Sequence, residues 1–202
     1  MNLRENAEEQ LRVHCTTTDK LEQGYLDIYD KLFLPFKDKE EGILELGVWR
    51  GESLVLWHDY FSKGEVCGID KELQHRAVKR LQDLSRVKLI VSSQENISDI
   101  VEGLPLFSVI IDDCSHRVDL TVSTFTSLWP KIVPGGIYVI EDTHLTSSHQ
   151  KFRSLNKKIR AYDFWYDLIE TKLNGKDEIA VRNQQEISSI AFYPGLIVIT
   201  KV

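Results

Sequence analysis

Apolar residues gather in five short, mostly β-branched blocks along the chain: ILEL (43–46), EVCGID (65–70), VKLIVS (87–92), FSVIID (107–112) and GIYVIE (136–141). Runs of this length, nearly continuous rather than alternating, predict strands buried on both faces. The segments between them, ESLVLWHDYFS, ELQHRAVKRLQDL and DLTVSTFTSLWPKI, mix apolar and polar positions over a longer span and predict helices. Strand alternating with helix implies βαβ units, hence an α/β fold with a parallel sheet and helices on both faces. The C-terminal EISSIAFYPGLIVITKV holds two strand-like runs around Pro194-Gly195 and predicts a hairpin, which gives the sheet antiparallel pairing at its end. LNKKIRAYDFWYDLIETKL (155–173) predicts a helix before that hairpin. Residues 1–40 predict helices beside or over the sheet, with TTTDK (16–20) a polar loop that caps the helix in LEQGYLDIYDKLF. The expected organisation is a helical segment or lid over 1–40 and one α/β domain over 41–202.

At 202 residues and 42% hydrophobic, the chain suits one such domain with a full core and small additions. The net charge of -6 argues against a broad nucleic-acid or anionic-membrane surface. Cys15, Cys67 and Cys114 are odd in number and form no CxxC, so neither a disulfide framework nor a structural zinc site is expected. The charged N-terminus has no apolar core of a signal peptide, and no stretch approaches a membrane span. The expectation is a cytoplasmic protein without a nucleic-acid partner, compatible with a homo-oligomer.

In open α/β sheets ligands sit outside the carboxyl ends of the strands, so the strand ends carry the candidate chemistry. After the first comes ELGVWRGES, where Gly47 and Gly51 would let the backbone approach a ligand and Ser53 opens the next helix. It is neither the GxGxxG pattern nor a P-loop. Asp70 ends the second strand and fits either a ribose-binding carboxylate or a helix N-cap. Ser92, Ser93 and Gln94 follow the third and could bond a base edge or cap a helix. The fourth and fifth strands end in IIDDCSH and VIEDTH. Asp113, Glu141 and Asp142 could supply oxygen ligands to a hard divalent cation, leaving His116 as a base, a residue type suited to proton transfer at neutral pH. The other reading is two acidic turns that cap helices.

Together ELGVWRGES, GID, IIDDCSH, PGGIYVIED and IAFYPGLIVITK resemble the class I S-adenosylmethionine-dependent methyltransferases. More narrowly they are similar to the metal-dependent sugar O-methyltransferases of the macrocin and mycinamicin group, with cephalosporin-hydroxylase-like relatives sharing the fold. The resemblance covers roughly residues 16–201, and the DD-x-SH and ED pair is its specific part. It implies a Rossmann-like, mostly parallel seven-stranded sheet with a C-terminal antiparallel hairpin. It implies Glu45, Gly47, Gly51 and Ser53 beside the methionine and ribose of the cofactor, Asp70 on the ribose hydroxyls, Gln94 near the adenine and Asp112 near the sulfonium. Asp113, Glu141 and Asp142 match the family's magnesium ligands, and His116 its general base. Asp19, Lys20 and Tyr25 fall in a segment resembling one that closes over the cofactor. The chain departs from the family at Cys114, where glycine is usual, and at Ser148, in the position of a tyrosine.

The implied activity is Mg²⁺-dependent transfer of a methyl group from S-adenosylmethionine, leaving S-adenosylhomocysteine, to a hydroxyl of a sugar, a glycosylated natural product or a polysaccharide. Asp113 and His116 would be the catalytic pair. Two alternatives stay open: a catechol-like phenol as acceptor, with Trp49, Trp165 and Tyr166 available to stack on a ring, and a cofactor-binding partner protein without catalysis. An NAD-dependent oxidoreductase fits Asp70 but not the glycine pattern.

Overall fold

The computed structural model describes residues 2–143 and 186–202. The chain falls into two compact units, Met1–Ser92 and Ser93–Val202. The first contains α1 (Leu3–His14), α2 (Tyr25–Phe33), β1 (Gly42–Leu46), α3 (Glu52–Tyr60), β2 (Val66–Asp70), α4 (His75–Leu81) and β3 (Val87–Val91). The second contains α5 (Ile97–Ile100), β4 (Phe107–Asp112), α6 (Val118–Leu128), β5 (Ile132–Ile140), β6 (Ile187–Tyr193) and β7 (Leu196–Lys201). The seven strands run in the order β3-β2-β1-β4-β5-β7-β6.

Within the first unit β1, β2 and β3 pair in parallel. Within the second β4 and β5 are parallel, while β7 pairs antiparallel with both β5 and β6. Every predicted strand is present, and the PG turn makes the hairpin. Burial follows position in the strand order. Strands β1 and β4 are buried at every residue, whereas β3 and β6, at the two ends, mix buried, half-exposed and exposed positions. That contrast is why the interior strands read as continuous apolar blocks. Strand β5 starts at Ile132, ahead of the predicted run, because a register shift between Phe107 and Val109 lets Val133-Pro134-Gly135 join irregularly.

Residues 3–36 are mostly helical, as the pattern predicts. Asn2 and Glu5 form a reciprocal capping box on α1, and the Leu3 N–H donates to Asp30 of α2 at 3.0 Å. TTTDK acts differently from the expectation. Thr18 caps a short 3-10 turn, Asp19–Leu21, and α2 begins only at Tyr25, after Gly24 takes φ 75° and breaks the path. Tyr29, Phe33, Trp57 and Phe61 form the aromatic core of the first unit, with Tyr29 stacked on Phe33 at 4.6 Å. Phe125, Trp129 and Tyr138 do the same in the second. No helix among the described residues is long and apolar enough to cross a membrane. The helix expected over 155–173, together with His144, Ser148, Trp165 and Tyr166, lies outside the described residues.

Candidate functional site

The turn from β1 into α3 is built by glycine and by Asp70. Gly47, Trp49 and Gly51 take φ of 97°, 48° and 77°. The Asp70 carboxylate, at the end of β2, receives the Val48 and Trp49 N–H groups on Oδ2 at 2.9 and 3.2 Å. Asp70 therefore holds the loop that follows β1. Gly51 is favoured by its backbone, and a Cβ there would lie 2.8 Å from Leu81 Cδ1, so that side chain would have to shift. Trp49 is left 65% exposed at the loop tip, and Ser53 is buried in the first turn of α3.

Beneath the loop sits an ion pair closed off from water. Lys20 Nζ lies 3.2 Å from Glu45 Oε1, with both side chains almost fully buried. Trp57 Nε1 donates to Glu45 Oε2 at 2.9 Å. Burying two charges is tolerated only with such partners. Glu45 thus anchors residues 18–21 and α3 to β1, and Lys20 belongs to this anchor. Tyr25 is 2% exposed and packs against Tyr29 in the aromatic core.

In the second unit the DDCSH loop is fastened by a buried polar network. Gln94 Nε2 donates to Asp112 Oδ1 at 2.9 Å, and Gln94 Oε1 accepts from the Ser115 N–H at 3.2 Å and from the Ser115 hydroxyl. The Tyr138 hydroxyl donates to Asp112 Oδ2 at 3.3 Å. Burial pushes the Asp112 carboxyl up to about 7, opposed by the Tyr138 hydrogen bond and reinforced by neighbouring Asp113. Gln94 and Asp112 therefore shape the loop through each other. Ser115 and Tyr138 complete this network, and sequence reasoning assigned neither a role. Ser115 sat inside the quoted motif, but a tyrosine in a strand carries no signal of its hydroxyl's partner.

The network presents three side chains to one point. One ligand atom each from Asp113, His116 and Asp142 lies within 4.8 Å of the others, and Asp113 also brings an oxygen within the same distance of one from Glu141. His116 Nε2 is 3.9 Å from Asp142 Oδ2. All four predicted residues thus meet around Asp113. Two of them carry backbone strain: His116 has φ 53° and Asp142 has φ 54°. A non-glycine residue in the left-handed region costs about 1–2 kcal/mol, and such strain collects at functional sites. After β4 the N-cap of α6 is Arg117, which makes no side-chain cap bond, so neither Asp112 nor Asp113 caps that helix.

No protein-family model matches the chain. It is 32% identical over 130 residues to the 8-demethyl-8-alpha-L-rhamnosyl tetracenomycin-C 2'-O-methyltransferase of Streptomyces olivaceus, covering 58% of this chain and 32% of that protein. It is 31% identical over 124 residues to the demethylmacrocin O-methyltransferase of Streptomyces fradiae, covering 56% and 30%. It is 32% identical over 125 residues to the mycinamicin VI 2''-O-methyltransferase of Micromonospora griseorubida, covering 56% and 30%. The matches span about a third of the length of these curated relatives. Among solved structures, MycE methyltransferase in complex with Mg, SAH and mycinamycin VI superposes with TM-score 0.74 at 24% identity, over 88% of this chain and 48% of that one. A putative caffeoyl-CoA O-methyltransferase from Staphylococcus aureus superposes with TM-score 0.65 at 16% identity, over 98% and 92%. The chain has a Rossmann-like methyltransferase fold.

Proposed function

We propose that the chain is an S-adenosylmethionine-dependent, Mg²⁺-assisted O-methyltransferase acting on a hydroxyl of a sugar, within a glycosylated natural product or a polysaccharide. The observation that carries this reading is the convergence of Asp113, His116 and Asp142, two of them in strained backbone. Similarity to sugar O-methyltransferases and to MycE bound to Mg and SAH supports it.

The donor set fits a hard cation: carboxylates from Asp113, Asp142 and the nearby Glu141, where uncompensated negative charges would repel one another. When bound, the ion would lower the pKa of a chelated hydroxyl, and S-adenosylmethionine would supply an electrophilic methyl group. The chain's own work is to hold and to deprotonate. His116 takes the hydroxyl proton on its imidazole, and the Asp142 carboxylate beside Nε2 steadies the positive ring that results. Asp112, Gln94, Ser115 and Tyr138 keep the loop that carries Asp113 and His116 in shape. In the first unit we assign Glu45, Gly47, Gly51, Ser53, Asp70 and Tyr25 to the cofactor.

The grouping of His116 with two carboxylates favours a second reading, in which His116 is itself a ligand to the metal. His116→Asn separates the two. As a base, its loss lowers kcat about 10²–10⁴-fold while Mg²⁺ affinity and S-adenosylhomocysteine binding hold. As a ligand, its loss weakens Mg²⁺ binding in titration calorimetry. Unchanged turnover with unchanged metal affinity would remove both roles.

A further inference from the structure

The first unit contains a cavity of about 480 Å³, none of whose lining residues is assigned to methyl transfer, and its size is common among small-molecule sites. Its wall is rich in donors. Arg76, Lys79 and Arg80 of α4 line it, with His14 from the last turn of α1 and Gln10 one turn earlier. Glu52 is the acidic residue in the lining, and its charge is already matched. Arg80 Nη1 lies 2.7 Å from Glu52 Oε1, and the Thr16 hydroxyl donates to the same oxygen at 2.9 Å. Arg80 is further fixed by donating to the Arg50 carbonyl.

Two observations then ask for an anion. First, donors are left over. Arg76 and Lys79 make no hydrogen bond or ion pair among the described residues. Gln10 Nε2 is buried without an acceptor, which a buried amide ordinarily finds. Second, α4 is built against itself. In HRAVKRL, Arg76 lies three residues before Lys79 and four before Arg80, so three cations share one helix face with no acidic residue in the helix. Like charges at these spacings destabilise a helix. This concentration stands in a chain whose net charge is -6, so it does not reflect a general basic surface. Val55 and Leu84 add apolar wall beside the donors, which suits the organic part of a ligand.

We propose that this cavity is a second binding site on the chain, for a phosphate-bearing small molecule. Phosphate fits better than a lone carboxylate. Its oxygens can accept from the Arg76 fork, the Lys79 ammonium, Gln10 Nε2 and the His14 ring together, while Arg80 and Glu52 form a neutral backdrop. The proposal does not depend on the methyl-transfer reading, although Arg80 also holds the Arg50 carbonyl of the loop after β1.

The test is titration calorimetry of inorganic pyrophosphate into the full chain at constant ionic strength, without S-adenosylhomocysteine. Saturable binding is expected in the native protein. It should weaken at least tenfold in the double variant Arg76→Gln, Lys79→Gln, whose two side chains are exposed and whose loss leaves the core intact. Gln10→Leu should also weaken it while circular dichroism stays unchanged. A uridine diphosphate sugar run in parallel assigns the source. Tighter binding than pyrophosphate points to a nucleotide-linked ligand, and equal binding points to the phosphates alone. Absence of pyrophosphate binding, or binding that survives the double substitution undiminished, overturns the proposal. Failure of S-adenosylhomocysteine to bind would count against methyl transfer and leave this site standing.

Discussion

The loop after β1 and the loop after β4 both leave a fully buried strand and both need left-handed backbone, yet they obtain it differently. After β1, glycine supplies most of the turn at Gly47 and Gly51, with Trp49 also left-handed between them, Asp70 takes up the loop N–H groups, and the Lys20–Glu45–Trp57 cluster locks the base. After β4, the turn falls on His116, and after β5 on Asp142, with no glycine to relieve them. The first arrangement is a support, and its residues satisfy one another. The second holds the side chains proposed for metal binding and proton transfer in place at a cost to stability. The two loops should therefore fail differently: the first loses stability together with cofactor binding, the second loses activity while stability holds or rises.

The largest expected effect tests the second loop. Asp113→Asn should reduce methyl transfer to a sugar acceptor by roughly 10³-fold or more, since the ion we propose it helps to hold would be worth several kcal/mol of charge stabilisation. Its melting temperature without Mg²⁺ should hold or rise, because one of several crowded carboxylates is neutralised. EDTA should mimic the variant and Mg²⁺ reverse EDTA only. A large drop in melting temperature would make Asp113 a structural residue.

Lys20→Met tests the first loop. Removing one partner of a buried pair strands the other charge and costs about 3–5 kcal/mol. Urea denaturation should show that loss, whereas an effect below about 1 kcal/mol would mean that Glu45 is solvated or otherwise satisfied.

Glycine exchange sharpens the contrast. Gly51→Ala should destabilise by about 1–2 kcal/mol from its φ of 77°, with more from the contact to Leu81. The opposite change, His116→Gly, should be about 1 kcal/mol more stable than His116→Ala while both are inactive. Equal stability of the two His116 variants would show that the strain is absent.

The smallest effect is a pH dependence in the first unit. Burial, then the Glu65 charge, pushes the Cys67 thiol from 9.0 up to about 12. Below the ordinary value both folded and unfolded states carry the proton. As pH rises through that window only the unfolded state releases it, so stability falls, by about 1 kcal/mol at roughly pH 10. The difference between wild type and Cys67→Ala in denaturation midpoint should therefore shift with pH in favour of the variant. A parallel pair of profiles would show that the thiol titrates normally.

The sequence by itself determined the strands, their type and the residues worth watching. The interior strands announce themselves because burial on both faces demands unbroken apolar runs, and the PG dipeptide marks the final turn. The gathering of Asp113, His116, Glu141 and Asp142 followed from strand order, since residues just past neighbouring parallel strands share one rim. Only the tertiary structure decided how each polar group is used. Gln94 and Asp112 bond to each other, Asp70 braces the glycine loop, and Lys20 and Tyr25 are buried in the support beneath it. Such pairings join residues as far apart in sequence as Lys20 and Glu45, or Asp112 and Tyr138. Periodicity reports which residues are buried, but a hydrogen bond depends on direction and on distances of about 3 Å, which only the folded backbone sets.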